Sequence, residues 1–285
     1  AVNTATDLII ASGATLDLQS TQTFATLDLD GTISNSTGSS ELTITGTSDL
    51  GGSITTSGTQ DYEGAITLTG HTTLVSGDQI TFDTTVNSEG SETNNLTVTA
   101  TELQFDGIVG GTRTLGVIDI TGSLDLNAAI TNATSLSVST TSNLGADVTT
   151  TSTQTYTGAV TLSGGARTLT TTDNNITFSS TVDSDSADTK RNLTVTLGSG
   201  SATFSGIVCT PSLADITLNS SATFNAAVTA TNLTIAANKT ATVKDDVTIA
   251  STIALSGSST LEVINTSAMT IAGTITDTGT GNSIT

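Results

Sequence analysis

Short apolar runs recur along this chain with a period of two. Ile80-Thr81-Phe82, Leu96-Thr97-Val98, Leu136-Ser137-Val138, Ile176-Thr177-Phe178, Leu193-Thr194-Val195 and Leu233-Thr234-Ile235 each read apolar-polar-apolar. Such alternation turns one face of a strand inward and leaves Thr or Ser outside. Gly, Asn, Asp and Ser fill the intervals, which is the chemistry of turns. No comparable stretch carries a helical period, so the pattern predicts an all-β chain.

The spacing of the runs predicts how the strands are arranged. The Leu-x-Val/Ile motif begins at Leu96, Leu136, Leu193 and Leu233, in steps near two, three and two units of about 19–20 residues. A second motif, at Ser20-Thr21-Gln22-Thr23-Phe24, Gln60-Asp61-Tyr62 and Gln154-Thr155-Tyr156, gives the same unit. A unit of that length, with two or three short strands, is one turn of a coil. A single turn has no core, whereas stacked turns bury a continuous apolar column and pair their strands in parallel. The expected fold is a parallel β-helix (β-solenoid) of about 19–20 residues per turn.

A longer repeat of about 97 residues lies over the short one. Ser48-Asp49-Leu50 returns as Ser142-Asn143-Leu144, Phe105-Asp106-Gly107-Ile108-Val109 as Phe204-Ser205-Gly206-Ile207-Val208, and Asn127-Ala128-Ala129-Ile130 as Asn225-Ala226-Ala227-Val228. This divides the chain into a partial repeat at 1–49, full long repeats at 50–143 and 144–243, and degenerate C-terminal turns at 244–285. Leu96 should correspond to Leu193 and Phe105 to Phe204, with small insertions near 70–77 and 87–95.

Composition agrees with a slim core. Trp is absent, aromatics make up 3% of the chain, and there is one Pro, one Met and one Cys. Val, Ile, Leu and Ala should fill the column, with Phe82, Phe105, Phe178, Phe204 and Phe224 at wider points. The formal net charge of −20 repels phosphates and anionic headgroups, so nucleic acid is not an expected partner. No stretch is long and apolar enough to cross a bilayer as a helix. Cys209 stands alone, which excludes an intrachain disulfide; with Pro211 it reads as a turn. Ala1-Val2-Asn3-Thr4 reads as a mature start or an internal cut.

The run from Thr153-Gln154-Thr155-Tyr156 to Ala159-Val160-Thr161-Leu162, followed by Ile176-Thr177-Phe178 and Asn192-Leu193-Thr194-Val195, resembles the repeats of filamentous-haemagglutinin-type adhesins. These are very large bacterial surface or secreted proteins. The resemblance covers most of residues 20–250. It implies a right-handed β-helix, extracellular or cell-surface display, and a role in adhesion, biofilm or surface architecture. It carries no catalytic motif, so the chain is not expected to be an enzyme.

Candidate chemistry is sparse. The acidic loop with Asp183, Asp185 and Asp188, and the pair Asp245 and Asp246, supply hard oxygens of the kind calcium takes. Asp173-Asn174-Asn175 is a further source. A carboxylate pair could instead serve glycoside cleavage, which keeps a carbohydrate-active β-helix, a lyase or tailspike-like glycosidase, as the alternative function. His71, the one histidine, follows Gly70 in an expected turn. Asn-x-Ser/Thr sequons stand at Asn35, Asn95, Asn132, Asn175, Asn192, Asn219, Asn232, Asn238 and Asn265. Neither end of the strand rhythm, Asp7-Leu8-Ile9-Ile10 or Met269-Thr270-Ile271, reads as a polar cap. The expected partners are therefore copies of itself or flanking solenoid segments end to end, with host-surface or matrix glycans as a further class.

Overall fold

The computed structural model describes residues 6–264 and 268–285; Ala1-Val2-Asn3-Thr4 and Asn265 lie outside them. The described residues contain strands and turns and no helix. They form two units, Ala1–Thr140 and Thr141–Thr285, each taken by itself below.

Each unit is a parallel β-solenoid with three strand-bearing faces. In the first, one face stacks Asp7–Ile10, Thr26–Leu29, Ser48–Leu50, Ile66–Leu68 and Val86–Ser88. A second stacks Thr15–Asp17, Thr32–Ser34, Ser53–Thr56, Thr72–Ser76 and the first half of Leu96–Phe105. The third stacks Gln22–Phe24, Leu42–Ile44, Gln60–Tyr62, Gln79–Phe82 and the second half of Leu96–Phe105. The second unit repeats the scheme from Ser142–Leu144, Val148–Thr150 and Gln154–Tyr156 onward.

The period-two expectation holds in the strands that carry the repeated runs. Ile80 and Phe82, Leu96 and Val98, and Ile176 and Phe178 point inward and are fully buried, while Thr81 and Thr177 between them stay half-buried. Ile33, Ile54, Leu74, Val98, Ile120 and Val138 lie one above the next in the first unit. Val148, Leu169, Val195, Leu218, Ile235 and Leu255 do so in the second. Each such side chain contributes about 1.5–3 kcal/mol by leaving water, so a coil without disulfides can hold together.

The structure departs from the expectation in three respects. The turns are not uniform: the step is 17 residues between Asp215 and Asn232 but 26 between Asp173 and Ser199. The phenylalanines do not fill separate wide points. Tyr62, Phe82 and Phe105 stack with centroids 5.1 and 5.5 Å apart, and Tyr156, Phe178, Phe204 and Phe224 with centroids 5.2, 4.7 and 4.6 Å apart. Finally, Cys209 does not open a turn. The backbone continues as the strand Val208–Leu218, and a register shift between Val208 and Leu213 absorbs the irregularity. Cys209 takes φ 93°, a left-handed conformation that Gly110 adopts at φ 71° at the corresponding place in the first unit.

The repeated Phe-x-Gly-Ile-Val motif now has a physical reason. Its Phe joins the ring stack and its Val is fully buried. Its Gly packs a corner against the preceding turn, where a Cβ on Gly107 would run into Thr84 and one on Gly206 into Ser180 backbone. Its Ile, 108 or 207, stays exposed.

Candidate functional site

The functional surface of a solenoid is what its strands present outward, because the inside is filled. On the ring-stack face of the first unit that surface is acidic. Glu63, Asp83 and Asp106 occupy successive turns, each N–H bonded to the turn before, at Ile44, Tyr62 and Phe82 carbonyls. Asp61 and Asp125 flank them in the neighbouring column. Amides insulate the lower carboxylates: Asp106 accepts from Gln104 Nε2 at 2.8 Å and from Asn127 Nδ2 at 2.8 Å. Asp61 lacks that help. Partial burial, with Asp83 and Glu63 nearby, holds its carboxyl above the usual carboxylate range. The same positions of the second unit carry Thr155, Thr177, Thr203 and Thr223, with Thr157, Ser179 and Ser205 beside them. Composition could not reveal this contrast, since turns of unequal length hide which outward residues share a column.

The calcium candidates are dispersed. Asp183 is half-buried in the middle of Val182–Ser184. Asp185 is held in a two-bond fork by Arg191, at 2.6 Å from Nε and 2.9 Å from Nη2, and that guanidinium keeps its carboxyl below the usual range. Asp188 is exposed on the same loop. Asp245 accepts the Asp246 N–H at 2.8 Å, and Asp246 in turn accepts the Ala268 N–H at 2.8 Å. Asp173 caps the next turn through the Ser199 N–H at 2.7 Å. Among the described residues, no three His, Cys, Asp or Glu side chains gather as a cation site. Protein donors thus occupy several of these carboxylates: the Asp185 and Asp245 bonds are local to their own loops, whereas those of Asp173 and Asp246 tie one turn to the next.

Several sequon asparagines do the same. Asn95 Oδ1 accepts the Val117 N–H at 2.8 Å, Asn175 that of Ser201 at 2.9 Å, Asn192 that of Asp215 at 3.2 Å and Asn232 that of Thr252 at 3.0 Å. His71 is exposed before Thr72–Ser76, and its Nδ1 accepts the Asn95 N–H at 3.1 Å. Cys209 is 2% exposed, and burial pushes its thiol up to about 12.

Two shallow clefts open on the surface of the first unit. One runs along Leu16–Leu18 to Phe24. The other, between Gly90–Thr93 and Thr112–Thr114, sets a single carboxylate, Glu92, beside Arg113.

Fold and surface together define a class, the parallel β-solenoid built from degenerate repeats. Comparisons with family models, with curated proteins and with solved structures return no match.

Proposed function

We propose that the chain is an extracellular structural or adhesive repeat module of a cell-surface protein or filament, joined to its neighbours through strand edges. The observation that carries this reading is the state of the outermost strands. Ile10 O accepts the Asp30 and Gly31 N–H groups. Alternate residues of a strand direct their backbone groups to opposite sides, so Asp7 and Ile9 aim theirs away from the solenoid. In the second unit Ala268 O and Ala272 N bond to Val247 and Ile249, which aims Met269 and Ile271 outward in the same way. Apolar side chains stand open beside these edges: Ile9 is 70% exposed, Ile275 50% and Met269 40%. Unpaired backbone with apolar neighbours is a template for further pairing. Among the described residues no strand pairs with these outward groups, and in this reading another strand edge docks there; head-to-tail contact between copies yields open filaments.

One further feature supports a structural over a catalytic role. All eight aromatics, six Phe and two Tyr, are buried, so none is exposed to stack on a sugar. The adhesive part of the reading rests on the resemblance to filamentous-haemagglutinin-type repeats. It is tested by displaying the chain on a non-adherent bacterium and scoring clumping and surface retention. Display should raise both over the carrier alone, and Ile9→Pro with Ile271→Pro should remove the clumping. Behaviour identical to the carrier contradicts the reading.

A further inference from the structure

The inward column of the second unit that runs through Val148, Leu169, Val195, Leu218, Ile235 and Leu255 ends on a carboxylate. Asp277 pairs in register with Leu255, as Ile275 does with Ile253. Residues in register on parallel strands share a face, so Asp277 stands on the apolar column itself and not on the outer surface. Leu255, directly beneath it, is 3% exposed. The turn that follows holds the carboxylate in place. Asn282 Nδ2 donates to Asp277 Oδ1, and also to Leu255 O at 3.5 Å.

Asp277 is exposed, and it keeps its water only while nothing stacks on the last turn. Among the described residues, no titratable group faces it from the strand beneath, Val247–Ser256, or from the turn through 279–282. On the adjacent strand Thr260–Val263, Leu261 is the buried inward residue, which puts Glu262 on the outer side. The chain end at Thr285 follows Ile284, the partner of Leu261, and lies outward likewise. Lys239, further down the stack, turns its Nζ away to Gly198 O at 3.1 Å. Another copy stacking here would bring its first turn, whose inward residues Leu8, Ile10, Leu16 and Phe24 are apolar. The inward amide of that turn, Gln22, gives its Nε2 to Ser20 Oγ at 2.8 Å, while Asp7 and Asp17 point outward. A charged Asp277 therefore loses its hydration on stacking and gains no cation in exchange.

Resting on the end-to-end reading of the strand edges, we infer that Asp277 gates the joint between copies. The C-terminal turn accepts the next copy when this carboxyl is neutral and resists it when the carboxyl is charged. Inward-pointing charges blunt strand edges against pairing, and this one is removed by acid. Stacking then takes up a proton. The joint is favoured as pH falls, and it weakens about tenfold for each pH unit above the range in which a carboxyl keeps its proton.

The test is sedimentation velocity of the folded chain over a concentration series at pH 7 and pH 5, with Asp277→Asn and Asp188→Asn alongside. Asp188→Asn removes the same charge from an exposed loop away from the last turn. The wild-type chain should form longer species at about 100-fold lower concentration at pH 5 than at pH 7. Asp277→Asn should assemble at pH 7 as the wild type does at pH 5, and should respond little to pH. Asp188→Asn should follow the wild type. Adding Ile271→Pro to Asp277→Asn should return a monomer, because the species are joined at this end. Unaltered melting temperatures show that the variants are folded. Equal pH responses of the wild type and Asp277→Asn overturn the gate and leave the joint standing. Equal gains from Asp277→Asn and Asp188→Asn do the same, since general charge repulsion then sets assembly. Longer species absent from every chain at both pH values, or persisting with Ile271→Pro, overturn the joint at this end and the gate with it.

Discussion

Tyr62 donates its hydroxyl to the side-chain carbonyl of Gln60 at 3.0 Å, with both side chains fully buried. The Gln60 amide nitrogen donates onward to Val75 O at 2.8 Å and to Thr56 Oγ1 at 3.2 Å. The second unit reproduces the network: Tyr156 to Gln154 at 3.1 Å, then Gln154 to Thr170 O at 2.9 Å and to Thr150 Oγ1 at 3.3 Å. In each case a polar chain crosses the apolar interior and joins two faces of the coil. Tyr156→Phe should leave the Gln154 oxygen buried and unpaired, at a cost of about 1–3 kcal/mol. Adding Gln154→Met should recover much of that loss. Urea unfolding of the single and double variants measures both.

The ring stack predicts a graded response. Phe204 lies between Phe178 and Phe224, so Phe204→Ala should cost about 3–5 kcal/mol. Phe204→Leu should cost much less, because Leu126 already continues the column beyond Phe105 in the first unit. Equal losses for Ala and Leu in thermal or urea unfolding would show that ring stacking, rather than filled volume, sets the stability.

Buried serines mark places where the repeat can be improved. Ser48 Oγ and Ser142 Oγ are buried at corresponding sites of the two units and have no hydrogen-bond partner. Ser48→Ala and Ser142→Ala should each stabilise by about 1 kcal/mol, because an unsatisfied hydroxyl is removed with little change of volume. Gly206→Ala should act in the opposite sense, since its Cβ would press on Ser180 backbone, at a cost of about 1–3 kcal/mol. Unfolding midpoints of the three variants check the pair of signs.

Acidic pH should reveal the strained carboxylate. The pKa of Asp61 is raised by burial and then by Asp83 and Glu63. A carboxyl with a raised folded pKa binds its proton more tightly in the native state. Its contribution is therefore fully present below the unfolded value of 3.8 and is lost as pH rises through the raised folded pKa. Asp61→Asn should then be more stable than wild type at pH 7, by about 0.5 kcal/mol or less for a group this open to solvent, and equal to it at pH 3. Asp185, lowered by Arg191, works the other way and loses its contribution as pH falls.

Much of the fold was legible in the sequence because alternation is a local signal. Ile80-Thr81-Phe82 states its own inward and outward faces, and stacking follows because a single turn has no interior. What was not legible depends on register. Turns that vary from 17 to 26 residues conceal that Glu63, Asp83 and Asp106 share a column, or that the matching column of the second unit is threonine. Gln60 and Gln154 mark the repeat in the sequence, but nothing local shows that each is buried and bonded to the Tyr two residues on. The calcium candidates Asp183, Asp185, Asp188, Asp245 and Asp246 stand out in the sequence only by their density along the chain. Arg191 and the backbone N–H groups that occupy Asp185, Asp245 and Asp246 become visible only in three dimensions.

Assembly through the open edges is tested most directly by amide hydrogen exchange on the purified chain at increasing concentration, read together with sedimentation velocity. The amides of Ile9, Ile271 and Ile275 point away from the solenoid. They should gain protection as larger species appear, while Leu8 and Ile10, already paired, should change little. Ile9→Pro and Ile271→Pro remove an edge donor without touching the inner ladder, and should hold the chain monomeric with its central turns still protected. A chain that sediments as a monomer at every concentration, with its edge amides exchanging freely throughout, would contradict the account.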